Sequence, residues 1–238
     1  MHFPHPIRFL AEKLYMRLIA RRAGRIRSQL YQTTPSLEAG WQAIIAHGGR
    51  KDDFQVCRVA ELVDLLDRVQ PRRITELGSG LSTVVFASFA QRTGAVHTSY
   101  EENASWAEVT KSGLIAANLP TDCVQVVPAG IKPGGVGYGK PIPDETDFVY
   151  IDGPSIKIEG RKVPNVDVAE FCRSGGRPRF IVIDGRVQTV DFLHAALPKF
   201  RVRFSSQYAL KTGRLRYFFP FHIHSVLIEP DQPRTGRA

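Results

Sequence analysis

Cysteine, tryptophan and methionine are scarce in this chain of 238 residues, which contains three, two and two of them, respectively. Cys57, Cys123 and Cys172 show no paired spacing, so the sequence predicts neither a disulfide framework nor a zinc ribbon. No apolar run reaches the roughly 18 residues that a membrane-spanning helix needs. The N-terminal stretch interleaves charge with its apolar pairs, a pattern not expected of a secretory signal. We therefore expect a cytoplasmic protein.

Positive charge is in excess: 32 lysines and arginines stand against 23 acidic residues, for a net charge of +9. The excess is concentrated near the N-terminus and over Lys199–Arg216. Such a surface attracts anions, whether nucleic acid, a lipid surface or a phosphorylated molecule. Zinc-finger spacing and RNA-binding aromatic signatures are lacking, so there is no clear nucleic-acid motif.

Residues 1–70 are predicted to form a helical N-terminal extension. A first helix carries arginine on one face and an apolar stripe on the other, and a second is expected to begin with Ser36 as its N-cap. A basic amphipathic helix packs on its own domain, on a second subunit or on an anionic membrane. A homodimer and a peripheral membrane contact are therefore both open. The stripe consists of Ile7, Leu10, Leu14 and Leu18.

From residue 72 the pattern changes to alternating short strands and helices. The strands are apolar on both faces, as expected where helices cover both sides of a parallel sheet. Residues 71–230 are thus predicted to form a doubly wound, Rossmann-like α/β domain with a C-terminal antiparallel hairpin, followed by a polar tail over 231–238. A long glycine- and proline-rich loop is expected over 127–143. The predicted strands are Arg73–Leu77, Ala95–Tyr100, Cys123–Val127, Phe148–Ile151 and Phe180–Ile183.

The first strand is followed by a turn with two glycines, in the stretch "TELGSGLSTV". In open α/β sheets, ligands bind beyond the carboxyl ends of the strands, where a glycine turn lets the backbone approach them. A dinucleotide fingerprint needs a third glycine where this chain has Thr83. Glu76, just before the turn, favours a ligand that carries an amino group.

This stretch resembles motif I of the class I S-adenosylmethionine-dependent methyltransferases. The resemblance implies that Glu76 faces the amino group of the methionine moiety and that the turn admits the sulfonium end of S-adenosylmethionine. It also implies that Glu101, or its neighbour Glu102, accepts hydrogen bonds from the ribose hydroxyls. The cofactor-binding residues implied are Glu76, Gly78, Ser79, Gly80, Ser82, Glu101, Ala129 and Gly130.

Two further strands end in Asp-Gly, at Asp152 and Asp184. This resembles a methyltransferase subgroup with Asp-Gly at the end of the fourth strand, and it implies that both aspartates lie beside the methyl-transfer centre as the catalytic residues. In the metal-dependent catechol-type enzymes, an asparagine follows the second aspartate and completes a magnesium site. Gly185 stands there in this chain, so no metal is expected. Ordinary turn chemistry is the alternative explanation of both aspartates.

The sequence therefore predicts an enzyme, an S-adenosylmethionine-dependent methyltransferase acting on a small molecule. An oxygen acceptor is favoured, because a carboxylate pair suits hydroxyl activation. Two alternatives stay open: a non-catalytic Rossmann-like protein that binds an anionic partner through its basic surface, and a nicotinamide-dependent oxidoreductase.

Overall fold

The computed structural model describes residues 23–49, 53–205 and 224–228, with the backbone alone for residues 53, 54, 57, 201–205 and 224–228. The predicted amphipathic stripe and the polar tail lie outside this range. The helices are α1 (residues 23–33), α2 (Ser36–Ala46), α3 (Asp53–Val69), α4 (Leu81–Thr93), α5 (Ala104–Ala116), α6 (Asp167–Arg173) and α7 (Val187–Ala196). The strands are β1 (Arg73–Leu77), β2 (Val96–Glu101), β3 (Val124–Val126), β4 (Ala129–Lys132), β5 (Gly135–Tyr138), β6 (Phe148–Ile151), β7 (Lys157–Ile158), β8 (Arg161–Lys162), β9 (Phe180–Ile183), β10 (Arg201–Ser205) and β11 (His224–Ile228).

Seven of these strands form one sheet in the order β10-β11-β9-β6-β1-β2-β3. The five strands from β9 to β3 are parallel, and β11 runs antiparallel to both of its neighbours. The chain builds the sheet outward from β1 in one direction and then, from β6, in the other. The strand order thus reverses between β1 and β6, where doubly wound folds bind their ligands. The predicted doubly wound sheet and its C-terminal hairpin are confirmed.

Alternate residues of β6 belong to two different apolar cores. Phe148 and Tyr150 pack in the core that α2, α3 and α4 share with one face of the sheet, whereas Val149 and Ile151 pack in the core under α6 and α7. All four are at most 3% exposed. A strand covered on both faces has no polar side to show in its sequence, which is why β6 is a continuous apolar run.

The helices before the sheet are part of the same packed body. Leu37, Trp41 and Ile44 of α2 are buried against α4 and α5. Gly113 of α5 permits the close crossing, since a Cβ atom there would lie 2.6 Å from Cγ1 of Ile44. Among the described residues, no helix is both long enough and apolar enough to cross a membrane.

Beyond shifts of one residue at the ends of β2 and β3, two local predictions differ from the structure, and one ribbon was not predicted. Ser36 is the first residue of α2, and its N-cap position is held by Pro35. The long loop expected over 127–143 contains a two-stranded ribbon, in which Ala129 pairs with Tyr138. A second ribbon, β7–β8, follows β6 and was not predicted, because two-residue strands carry too little pattern to recognise.

Candidate functional site

A cavity of about 570 Å³ lies at the carboxyl ends of β1, β2, β6 and β9, across the point where the strand order reverses. One wall carries the turn after β1, together with Glu101 and Trp106. Next to this turn, the ends of β6 and β9 contribute Asp152 and Asp184 to the lining. This volume lies within the roughly 300–1,000 Å³ of small-molecule sites.

The glycine turn is held against the loop that follows β6. Gly78 has a φ of +98°, and a Cβ atom there would lie 2.5 Å from the backbone nitrogen of Gly153. Neither the backbone conformation nor the space accommodates a side chain. At Gly80, by contrast, a Cβ atom would meet only the Trp106 ring, at 3.8 Å, so its surroundings are open toward the cavity.

Glu76 lies beneath this turn rather than on the cavity wall. It is fully buried, and its two carboxylate oxygens accept hydrogen bonds from Ser82 Oγ (2.5 Å) and Thr83 Oγ1 (2.8 Å). Thr83 Oγ1 in turn accepts a hydrogen bond from the backbone nitrogen of Gly80 at 2.8 Å. The structure therefore gives Glu76 the role of bracing the turn, while Ser82 lines the cavity as well.

Glu101 braces the same turn from β2. Its Oε2 accepts hydrogen bonds from the backbone nitrogen (2.9 Å) and the hydroxyl (2.8 Å) of Ser79, and its Oε1 accepts one from the backbone nitrogen of Asn103 (2.9 Å). Burial raises the pKa of Glu101, and these hydrogen bonds oppose the rise. The indole nitrogen of Trp106 donates to the Ser79 carbonyl at 2.8 Å. The turn thus presents a fixed backbone to the cavity.

Glu102 also lines the cavity, but it contacts other elements. It accepts hydrogen bonds from the Tyr138 hydroxyl at 2.8 Å and from the backbone nitrogen of Ser155 at 2.7 Å. Ala129 and Gly130 lie in β4, in the ribbon that carries Tyr138, and neither lines the cavity. The structure therefore brings together the predicted residues of the turn and Glu101, and leaves these two apart from them.

The two aspartates lie side by side. The register pairs Ile151 with Ile183, so Asp152 and Asp184 follow paired residues at the ends of adjacent strands. Their environments differ: the Asp184 side chain is 7% exposed, whereas that of Asp152 is 52% exposed and faces the cavity. Two neighbouring carboxyl groups in unlike surroundings are suited to different roles.

Asp184 is held by residues from two other elements. Its Oδ2 accepts hydrogen bonds from Arg58 Nη1 of α3 at 3.1 Å and from the Tyr150 hydroxyl of β6 at 3.2 Å. Its Oδ1 has almost no exposed surface and no hydrogen-bond partner among the described residues. The guanidinium of Arg58 thus supplies positive charge to the aspartate pair.

Although half of the Asp152 side chain is open to the cavity, the protein around it partly desolvates the carboxyl group. This desolvation first, and then the negative charge of Asp184, raise the pKa of Asp152 above its usual range. Arg186 opposes this rise, because its Nε lies 3.8 Å from Asp152 Oδ1. Arg186 also donates hydrogen bonds to the carbonyls of Asp152 and Pro154, which ties the loop after β9 to the loop after β6. A carboxylate whose pKa is raised is a stronger base at neutral pH.

The sequence analysis did not identify four residues of the site, namely Arg58, Trp106, Tyr150 and Arg186. Of these, only Arg186 could have been suggested by its position in the sequence, since it lies two residues after Asp184. Arg58 lies 126 residues from the aspartate that it contacts. Within the described part of the chain, no cluster of three or more histidine, cysteine or acidic residues could hold a metal ion.

No protein-family model and no curated protein matches this chain. Solved structures do. One is a Staphylococcus aureus protein described as a caffeoyl-CoA O-methyltransferase, with a TM-score of 0.53 and 13% identity over 87% of this chain and 98% of that one. Another is the methyltransferase PaMTH1 of Podospora anserina with S-adenosylhomocysteine bound, with a TM-score of 0.50 and 14% identity over 88% of this chain and 95% of that one.

At 13–14% sequence identity, the likeness shows a shared fold. This chain's own sheet has a strand order that reverses beside the glycine turn, and its strand β11 is antiparallel. The chain therefore has the fold of the class I S-adenosylmethionine-dependent methyltransferases.

Proposed function

We propose that this protein is an S-adenosylmethionine-dependent methyltransferase that methylates an oxygen atom of a small molecule. The observation that carries the proposal is the cavity at the switch point, where a braced glycine turn lies beside an aspartate with a raised pKa. The solved structures with this fold support the choice of cofactor, since one contains S-adenosylhomocysteine.

The residues of the β1–β2 wall fit the proposed cofactor. Gly80 leaves open space beside the Trp106 ring, an apolar surface suited to a flat base or to the methionine chain. Glu101 uses three hydrogen bonds in the turn, and a carboxylate has about four acceptor positions, so one stays available for a ribose hydroxyl. Because Glu76 braces the turn from below, we assign it an indirect part in binding.

A nicotinamide dinucleotide fits this turn less well. Dinucleotide-binding turns use a third glycine so that the helix approaches the strand closely. Here Thr83 occupies that position, and its hydroxyl links Glu76 to the backbone of Gly80. The threonine is therefore part of the turn's own hydrogen-bond network.

Asp152 is the proposed general base. It is the more exposed of the two aspartates, so an acceptor hydroxyl in the cavity can reach it and transfer its proton there. Asp184, held by Arg58 and Tyr150, lies beside Asp152 and acts through it. The cofactor, when bound, supplies an electrophilic methyl group on a sulfonium centre.

Calorimetric titration with S-adenosylhomocysteine tests the cofactor assignment. We expect the wild type to bind it, Glu101→Gln to weaken binding about tenfold or more, and Glu102→Gln to weaken it less. These factors correspond to losing one charge-assisted hydrogen bond. Glu108→Gln, at an exposed helix position outside the cavity, controls for the loss of negative charge.

Three results contradict the proposal. One is a wild type that fails to bind at millimolar ligand while a nicotinamide dinucleotide binds, which favours the oxidoreductase. Another is cofactor binding with no methyl transfer to any acceptor in a broad screen of hydroxylated compounds, which favours the non-catalytic protein. A third is a larger effect at Glu102 than at Glu101, which reverses the assignment of the ribose ligand.

A further inference from the structure

The β7–β8 ribbon presents two lysines to the cavity. Its antiparallel register pairs Lys157 with Lys162, so their side chains lie opposite each other on one face. Positive φ angles at Glu159 (49°) and Gly160 (74°), the two residues that connect the strands, fit the tight turn that fixes this register. Both lysines line the cavity, whereas the intervening Arg161 does not.

In the part of the chain whose side chains are described, no acidic residue neutralises the positive charge of these lysines. The other two cations on this side of the cavity have acidic neighbours: Arg58 lies 3.1 Å from Asp184, and Arg186 lies 3.8 Å from Asp152. Among the side chains that the structure describes, those of residues 23–49, 55, 56 and 58–200, neither lysine has an acidic partner. Like charges directly opposite each other destabilise a ribbon unless an anion lies between them.

The lysines follow β6, the strand that ends just before Asp152. Ser155, just before the ribbon, donates a backbone hydrogen bond to Glu102 at 2.7 Å, which ties this segment to the end of β2. Apolar residues also line the cavity: Ile156 and Val163, which adjoin the lysines in the chain, and Val59 and Leu62 of α3. The cavity thus combines apolar side chains, a general base and two cations without an acidic partner among the described side chains.

We propose that the methyl acceptor is an anion, an apolar hydroxylated molecule whose carboxylate or phosphate group is bound between Lys157 and Lys162. This inference rests on the proposed function, because it names the substrate class of the same site. Lysines act as flexible point charges and bind either kind of anion. Binding of the anionic group by both lysines orients the molecule, so that its hydroxyl lies toward Asp152.

The test uses three aromatic probes of similar size, namely benzoate, phenyl phosphate and neutral benzamide, titrated into wild type saturated with S-adenosylhomocysteine. We expect benzoate, phenyl phosphate or both to bind about two- to fivefold more tightly than benzamide, the effect of one partly exposed charge pair. Preference for benzoate alone assigns a carboxylate, and preference for phenyl phosphate alone assigns a phosphate.

The variants Lys157→Gln and Lys162→Gln are each expected to remove this preference while leaving the affinity for S-adenosylhomocysteine within about twofold of wild type. Arg161→Gln is the matched control, because it removes the same charge from the same ribbon on the face turned away from the cavity. It should retain the preference. Thermal unfolding of all three variants verifies that the protein stays folded.

The proposal is overturned if the wild type shows no preference for an anionic probe, or if Arg161→Gln removes it as fully as the lysine variants do. It is also overturned if the lysine variants lose affinity for S-adenosylhomocysteine, since the lysines then bind the cofactor's own carboxylate. If the wild type does not bind S-adenosylhomocysteine at all, the proposed function fails instead. The probe titrations on unloaded protein still decide whether the lysines form an anion site.

Discussion

Gly78 is the residue at which one added methyl group tests the geometry of the cavity. Its φ of +98° is disfavoured for any other residue, and its Cβ position lies 2.5 Å from the nitrogen of Gly153 and 2.8 Å from the carbonyl carbon of Asp152. These neighbours are backbone atoms in a loop that Arg186 ties down, so they do not move aside at low cost. Gly78→Ala must therefore strain the turn, displace the loop after β6, or both.

The expected cost has two parts. Backbone strain at such an angle amounts to about 1–3 kcal/mol, and forcing a methyl group into a filled space to about 1–3 kcal/mol more. Gly78→Ala should thus lower the free energy of unfolding by about 2–6 kcal/mol. Because the loop after β6 carries Asp152, the same substitution should weaken binding of S-adenosylhomocysteine.

Gly94→Ala is the matched control. Gly94 ends α4 with a φ of +76°, and nothing lies within 4 Å of its Cβ position. Its substitution therefore carries the strain alone, about 1–2 kcal/mol. Urea unfolding gives the loss of unfolding free energy for each variant, and the difference between the two losses measures the cost of the close contact at Gly78. If Gly78→Ala is no more destabilising than Gly94→Ala, the contact between the two loops is not as tight as described, and the reasoning fails.

Four other outcomes follow from the aspartate pair. Asp152→Asn should lower turnover about 10²–10⁴-fold, as expected for loss of a general base, when it is measured with an acceptor found by screening. Its affinity for S-adenosylhomocysteine should stay within about twofold of wild type, and unimpaired turnover would make the aspartate a turn residue only. The pKa of Asp152 is higher in the folded than in the unfolded protein, so its ionisation destabilises the folded state as the pH rises. Asp152→Asn should therefore raise the melting temperature at pH 9 and not at pH 3, and an equal effect at both pH values would refute the predicted direction of the pKa shift. Arg58→Gln should destabilise the protein by about 1–3 kcal/mol in urea unfolding, because it removes a charged hydrogen bond from a buried carboxylate; Arg92→Gln, in an exposed ion pair, should cost less than about 1 kcal/mol. A chelator should leave turnover unchanged, since Gly185 offers no side-chain ligand beside Asp184; full inhibition that magnesium reverses would contradict this.

The order of the strands of the main sheet and of the helices between them, from residue 72 onward, could be predicted from local pattern, whereas the two small ribbons could not. Phe148–Ile151 and Phe180–Ile183 have the predicted bounds, because a strand buried on both faces is a continuous apolar run with sharp polar ends. The glycine turn after Arg73–Leu77 could be predicted in the same way, since two glycines at the end of a strand indicate a backbone that closely approaches a ligand or a neighbouring segment. Local chemistry thus placed the cavity at the correct edge of the sheet.

The different roles of the acidic residues could not be predicted from local sequence. From sequence, Glu76 and Glu101 were both expected to contact the cofactor, whereas the structure puts Glu76 in the interior, under the turn. Ala129 and Gly130 were expected near the cofactor because of the family resemblance, whereas in the structure they lie in a two-stranded ribbon and do not line the cavity. Burial and ribbon pairing depend on neighbours that are distant in the chain.

The sequence by itself determined the α/β class, the C-terminal hairpin and the strand ends that meet at the site, because each depends on periodicity or on turn chemistry within a few residues. Tertiary structure alone decided that Arg58 of α3 contacts Asp184, 126 residues away, and that Lys157 and Lys162 face the cavity while Arg161 does not. The first depends on how a helix packs across the sheet. The second depends on the register of a ribbon only two residues long on each side, in which a shift of one residue would turn the other face to the cavity.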